Sequence, residues 1–199
     1  MRVTVFDTLV GNVHSLLKAL AASGAEARLD PRPEACLDAP LLILPGVGAF
    51  APAARRLGAV REALRRRLQE GAPCLGICLG MQLLLDDSDE GGGEGLGLGL
   101  VPGRVERLEG LRVPHMGWNA LEGDDPLIRR SGLRTAYFAH SFVCRPLDTL
   151  AVRATTQHGG TRFPAMIRSG ATVGVQFHPE KSGAPGLAFL AAVLEEVQS

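Results

Sequence analysis

Residues 74–84 read CLGICLGMQLL, two cysteines four apart inside an apolar run. Glycine flanks the second cysteine on both sides, giving Gly76-Ile77-Cys78-Leu79-Gly80, whereas Cys74 has no such frame. A Gly-x-nucleophile-x-Gly spacing predicts a strand-to-helix elbow, in which the central residue sits in a strained turn and small flanking residues avoid clashes. PCLGI then ends a strand and CLGMQ opens a helix.

Outward from the elbow, the first half of the chain alternates strand and helix patterns. RVTVF precedes a helix from about Val13 to Ser23 closed by Gly24; AEARL and APLLILP follow, then one long helix from about Pro52 to Glu70 stopped by Gly71. Such alternation predicts an α/β fold with a mostly parallel central sheet flanked by helices. Sites in these sheets form beyond the carboxyl ends of strands, which singles out PGVGAF after LLIL and CLGMQ after PCLGI. From Gly97 the pattern changes to short strands, among them RTAYFAHSFVCR and TVGVQFHPE, read as an appended antiparallel β region. The closing APGLAFLAAVLEEVQS is an amphipathic helix able to cover one sheet face. DDSDEGGGEG, from Asp86, reads as a mobile surface loop.

The 199 residues, 46% of them hydrophobic, suffice for a single domain over residues 1–199. Acidic and basic residues balance to a net charge of +0, which disfavours nucleic acid and anionic membrane as partners. No stretch approaches the roughly 18 apolar residues of a membrane span, and no secretory signal region is seen, so a cytoplasmic location is expected. Four cysteines, Cys36, Cys74, Cys78 and Cys144, fit neither a disulfide framework nor the ligand spacings of a metal site.

A thiol attacks a carbonyl as thiolate, so Cys78 needs a base or a helix N-terminus beside it, and the elbow offers the latter. The elbow also aims the Leu79 backbone N–H at a developing oxyanion. Cys36, Cys74 and Cys144 read as packed core cysteines. The base should be a histidine, and VGVQFHPE singles one out. Pro179 keeps His178 extended, so that positions 178 and 180 project the same way and Glu180 can orient the imidazole toward Cys78. Taken alone, His-Pro-Glu could equally be a surface turn; the elbow upstream gives it meaning. His14 and His158 read as solvent-exposed, and His115 in PHMGWN and His140 in YFAHSF as structural hydrogen-bonding groups.

PGVG at 45–48, GICLGMQ at 76–82 and FHPEKS at 177–182, in that order, resemble the class I (triad) glutamine amidotransferases along essentially the whole chain. LPGVGAF, PHMGWN and YFAHSF narrow the resemblance to glutaminase subunits of imidazole glycerol phosphate synthase, of histidine biosynthesis. The class motifs alone would also fit subunits serving anthranilate, purine or pyridoxal phosphate synthesis. The resemblance implies that Cys78 is the nucleophile, His178 the general base and acid, and Glu180 its orienter, acting through a thioester. It implies oxyanion donors at Leu79 and Val47, and glutamine held by Gly46, Gly48, Gln82 and the backbone of Ser141 and Phe142. No metal or organic cofactor is implied. Glu90 and Glu94 are set aside as substrate contacts because the stretch around them is unusually rich in glycine. The partner implied is a barrel-shaped cyclase subunit that uses the ammonia to make imidazole glycerol phosphate and an aminoimidazole carboxamide ribonucleotide. Asn12, Trp118 and Lys181 are its interface candidates, Lys181 being one of only two lysines among 21 basic residues. The competing reading of the thiol and imidazole is a cysteine peptidase or esterase, which would need an open groove for a polymer.

Overall fold

The structure is a computed structural model that describes residues 1–9, 13–46, 48–91, 96–110 and 113–199. Strand β1 (Arg2–Phe6) leads to helix α1 (His14–Ala22), and β2 (Glu26–Asp30) returns parallel to β1. Next come β3 (Leu42–Leu44), helices α2 (Phe50–Leu57) and α3 (Arg61–Gln69), and β4 (Cys74–Ile77). The long helix expected between Pro52 and Glu70 is therefore two. Gly58 costs an interior helix position about 1 kcal/mol relative to Ala, and on either side of the break Leu57, Val60, Leu64 and Leu68 enter one buried cluster.

A one-turn helix, α4 (Leu79–Gln82), follows β4 directly. Then come β5 (Asp87–Ser88), β6 (Gly103–Arg107), β7 (His115–Ala120), β8 (Glu122–Gly123) and helix α5 (Pro126–Ser131). The chain closes with β9 (Thr135–His140), β10 (Phe142–Pro146), β11 (Val152–His158), β12 (Thr161–Ser169), β13 (Thr172–Val175) and helix α6 (Gly183–Gln198).

The central sheet has the order β2-β1-β3-β4-β13-β12-β11-β8, parallel from β2 to β13 and antiparallel beyond. Side chains alternate across it as strand geometry requires. Val3, Val5, Ile43, Leu75, Ile77, Val173 and Val175 face α1, α5 and α6, whereas Phe6, Leu42, Leu44 and Cys74 face α2 and α3. Antiparallel strands continue this sheet at one edge, and a pair of small sheets stands beside it: β10-β6-β5, in which β10 is antiparallel and β5 parallel to β6, and the antiparallel pair β7-β9. Two corrections bear on the site. TVGV pairs in parallel with β4, with Val175 opposite Ile77, rather than joining an antiparallel hairpin alone. RTAYFAHSFVCR is two strands, because burial alternates through Ala136, Phe138 and His140 and then loses phase at Ser141, sending β9 to β7 and β10 to β6. Among the described residues no helix is long and apolar enough to cross a membrane.

Candidate active site

Cys78 stands immediately after β4 with φ 48° and ψ −102°, a left-handed conformation that costs a non-glycine residue energy and must be held by its surroundings. What holds it is backbone packing. A Cβ on Gly76 would lie 2.5 Å from the Gly80 carbonyl oxygen, and one on Gly80 would lie 1.9 Å from that of Leu44. Both flanking glycines are therefore required for the turn to close against β3. The Cys78 N–H donates to Val175 O at 2.7 Å, tying the elbow to β13. With a single turn, α4 aligns few peptide dipoles, so a helix N-terminus offers the thiolate little and a charged partner becomes necessary.

That partner arrives on the neighbouring strand. β13 runs parallel to β4, so residues just past Val175 emerge at the same sheet edge as Cys78. His178 is extended, but Pro179–Lys181 form a 3-10 turn rather than the extended run the sequence suggests. The turn still brings Glu180 back: its Oε1 lies 2.8 Å from His178 Nδ1, both side chains buried. Burial pushes the imidazole pKa down, yet the hydrogen bonds and charges of Cys78 and Glu180 raise it by more, to about 9. Gly46 marks how closely these groups approach, since a Cβ there would stand 2.9 Å from both Cys78 Cβ and His178 Cε1. By contrast, burial pushes the Cys36 thiol up to about 12 and raises Cys74 and Cys144 further, which fits their core positions.

A cavity of about 290 Å³ opens above Cys78. Gly46, Gly48, Leu79, Gln82, Ser141 and Phe142, all named from the sequence, line it. Asn12, Val47 and Glu94 lie outside the described residues. Gln82 Nε2 donates to Phe142 O at 3.1 Å and to Gln176 Oε1 at 3.4 Å, so it fixes the cavity wall as well as facing it. Sequence reading missed two groups. Gln176 is fully buried and its Nε2 reaches Cys78 Sγ at 3.5 Å; a glutamine between Val175 and Phe177, just past the end of β13, is the available signal. Glu90, set aside for its glycine-rich setting, lines the cavity, its Oε2 accepting from the Phe50 N–H at 2.7 Å.

His140 also lines the cavity, its Nδ1 donating to Phe142 O at 3.0 Å and its Nε2 accepting from His115 Nδ1 at 3.1 Å. Burial lowers the pKa of His140 to about 3 and of His115 to about 4, so both act as neutral hydrogen-bonding groups, the structural role expected of them. His158 is half-buried and stacks on His115 at 4.0 Å, not solvent-exposed as expected. At the rim, Met116 and Trp118 are 65% and 55% exposed. Trp118 meets Tyr137 edge-on at 6.1 Å, and Lys181 Nζ lies 6.0 Å from the Tyr137 ring centre. Among the described residues no group of three His, Cys, Asp or Glu side chains could hold a metal ion.

Sheet order, elbow and the Cys-His-Glu grouping define the class: the family model described as glutamine amidotransferase class-I matches residues 4–195. A crystal structure described as a glutamine amidotransferase superposes with a TM-score of 0.70 at 27% identity, covering 96% of this chain and 98% of that one. The structure of PurLQS from Thermotoga maritima shares the fold, with a TM-score of 0.74 at 20% identity and 98% of each chain covered. Imidazole glycerol phosphate synthase subunit HisH of Synechococcus sp. (strain JA-3-3Ab) is 44% identical over 206 residues, 99% of this chain and 94% of that protein. The HisH subunit of Halobacterium salinarum is 44% identical over 197 residues, 94% of this chain and 90% of that protein. The chain belongs to the HisH family of class-I glutamine amidotransferases.

Proposed function

We propose that Cys78, His178 and Glu180 hydrolyse glutamine to glutamate and ammonia, and that the ammonia passes to the cyclase subunit of imidazole glycerol phosphate synthase in cytoplasmic histidine biosynthesis. The observation that carries this reading is the parallel pairing of β13 with β4, which delivers His178 beside the elbow cysteine under one small cavity. The Cys78 thiolate attacks the side-chain carboxamide carbon, and the Leu79 and Val47 amides stabilise the oxyanion. The His178 imidazolium gives its proton to the departing nitrogen, releasing ammonia and leaving a thioester. Water, deprotonated by His178, then adds to the thioester, and collapse expels the thiolate with glutamate. Glu180 holds Nδ1 so that the other ring nitrogen serves both steps.

A free amino acid carries an ammonium and a carboxylate, and the cavity has a complement for each. Glu90 supplies a carboxylate for the ammonium, while Gly46, Gly48, Gln82 and the Ser141 and Phe142 backbone supply a polar wall. A pocket of this size suits an amino acid better than a polymer, which favours glutaminase over peptidase or esterase chemistry. The test is to offer the purified chain glutamine, peptides and esters and to map a glutamine-analogue electrophile. Hydrolysis of glutamine with label on Cys78 supports the proposal; turnover of peptides or esters alone, or label confined to Cys36, Cys74 or Cys144, overturns it.

The same site implies where the synthase docks. Met116 lines the cavity and is also 65% exposed, so the cavity mouth opens onto the Met116, Trp118, Tyr137 and Lys181 patch. A partner covering that patch would receive ammonia without its escape to water. Trp118 is the anchor type favoured at interface centres, and Lys181, directly after Glu180, presents a compact charge for a partner carboxylate. The 1–199 chain acts here as a single domain, with no metal or organic cofactor called for by the steps above.

A further inference from the structure

Ser182 occupies the N-cap position of α6, where a serine hydroxyl ordinarily accepts from the helix backbone. Here it makes no capping hydrogen bond. It is 1% exposed and spends both its donor and an acceptor elsewhere. Tyr137 N–H donates to Ser182 Oγ at 3.0 Å, and Ser182 Oγ donates to His178 O at 2.7 Å. His178 N–H in turn donates directly to Tyr137 O at 2.8 Å. Two residues that would exchange a reciprocal pair of bonds in an antiparallel bridge exchange one directly and the other through an inserted hydroxyl. The result is a closed ring joining Tyr137, His178 and Ser182, and it fixes both backbone polar groups of His178.

We propose that Ser182 is a positioning residue for glutamine hydrolysis, its hydroxyl setting the separation between Tyr137 and His178 and so linking the exposed β7–β9 ribbon to the Cys78 site. This rests on the glutaminase reading of Cys78 and His178. The ribbon side of the link is short. Lys181, next to Ser182, lies against the Tyr137 ring, and a Cβ on Gly183 would be 4.0 Å from Trp118 Cη2. On the α6 side there is no slack: a Cβ on Gly186 would fall 2.1 Å from Pro179 O and 2.8 Å from Ser182 Cβ. A shift of the ribbon on docking therefore reaches His178 through its own N–H and C=O. Removing the hydroxyl leaves the Tyr137 N–H unpaired and His178 O held by the Lys181 N–H alone, at 3.0 Å, or closes the gap and tilts the imidazole away from Cys78.

The test compares Ser182→Ala, Ser182→Thr and Ser182→Cys with the parent chain in glutamine hydrolysis. Displacements on the order of 1 Å can cost about a hundredfold in rate, so Ser182→Ala should lose roughly tenfold or more in kcat. Its KM for glutamine should stay within about twofold, because Ser182 does not line the cavity. The alkaline limb of kcat should move to lower pH as His178 leaves its place between Cys78 and Glu180. Ser182→Thr keeps the hydroxyl and should restore kcat. Should Ser182→Ala not fold, Ser182→Cys, similar in shape but a weaker hydrogen-bonding group, should give an intermediate kcat at unchanged KM. Parent-like kcat and pH profile in the Ala variant, or in the Cys variant where Ala does not fold, overturn the proposal, as does a loss in Thr equal to that in Ala. A parent chain that does not hydrolyse glutamine would refute the glutaminase reading instead.

Discussion

The ledge made by the carboxyl ends of β4 and β13 and the ribbon made by β7 and β9 use their side chains in opposite ways. On the ledge everything is dry: Cys78 is 6% exposed, His178 3% and Gln176 0%. On the ribbon, alternate residues divide, His115 and Phe138 facing the core while Met116 and Trp118 face out. Nucleophilic chemistry needs charge held in fixed geometry away from water; recognition of a partner needs apolar surface left uncovered. Tyr137 belongs to both, its backbone bonded to the ledge and its ring standing among the rim residues.

The ledge should break most completely at the nucleophile. Cys78→Ser should cost at least about a thousandfold in glutaminase kcat, because a hydroxyl has a far higher pKa than the thiol this imidazole serves. Cys74→Ser, at the far end of the same strand, should keep most activity. A steady-state glutamate assay on both variants checks the pair, and near-parent turnover of Cys78→Ser would remove it from the mechanism.

His178→Ala should follow, by roughly a hundredfold to ten-thousandfold, the range of general acid–base catalysis. Glu180→Gln should lose less, since an amide can still orient the ring. The pH profile separates the roles. His178 is protonated up to about 9 although burial opposes it, because Cys78 and Glu180 favour the charged form. Activity that needs the imidazolium should fall as pH rises through about 9, and Glu180→Gln should bring that limb to lower pH. The sign for stability is the same. A folded-state pKa above the ordinary 6.5 contributes stability fully present below 6.5 and lost as pH rises toward 9. A limb unmoved by Glu180→Gln would remove Glu180 as the orienting group.

Gly46→Ala tests the closeness of the ledge. Its new methyl would start 2.9 Å from Cys78 Cβ and from His178 Cε1, so something must move. A displacement on the order of 1 Å there is worth about a hundredfold in kcat. Full activity of Gly46→Ala would mean that Cys78 and His178 need not approach each other as they do here.

Much of the ledge is legible in the sequence because local rules and chemistry coincide there. Gly76 and Gly80 are demanded by a backbone turn, and Cys78 sits between them. The parallel placement of β13 is less legible, since TVGV has the same alternation whether its neighbour runs with it or against it; only long-range pairing decides. The split at Ser141 is hidden for a related reason: the phase break in burial depends on which sheet each half joins. Gln176 and Glu90 escape a reading of the sequence because one lies between apolar residues just past β13 and the other beside a run of glycines. Neither carries a spacing signature, and their place at the cavity arises from tertiary packing.

The ribbon should answer the gentlest perturbations, and there the measurement is partner response rather than turnover of the isolated chain. Trp118→Ala removes the largest exposed aromatic surface beside the cavity mouth; a truncated anchor of this kind typically costs about 2 kcal/mol of association, roughly thirtyfold in Kd. Lys181→Ala should weaken association less, because an exposed charge acts mainly on encounter rate and register. Its effect should fade as salt is raised. Exposed substitutions of this sort change folding stability by only about 0.5 kcal/mol, so the thermal midpoints of both variants should stay near that of the parent. Titrating the cyclase subunit of imidazole glycerol phosphate synthase into each variant, with glutaminase rate as the readout, places the two residues in order. If Trp118→Ala binds and responds as the parent does, the ribbon face is not where the synthase sits. If Lys181→Ala is weakened equally at low and high salt, its ammonium is not meeting a partner carboxylate there.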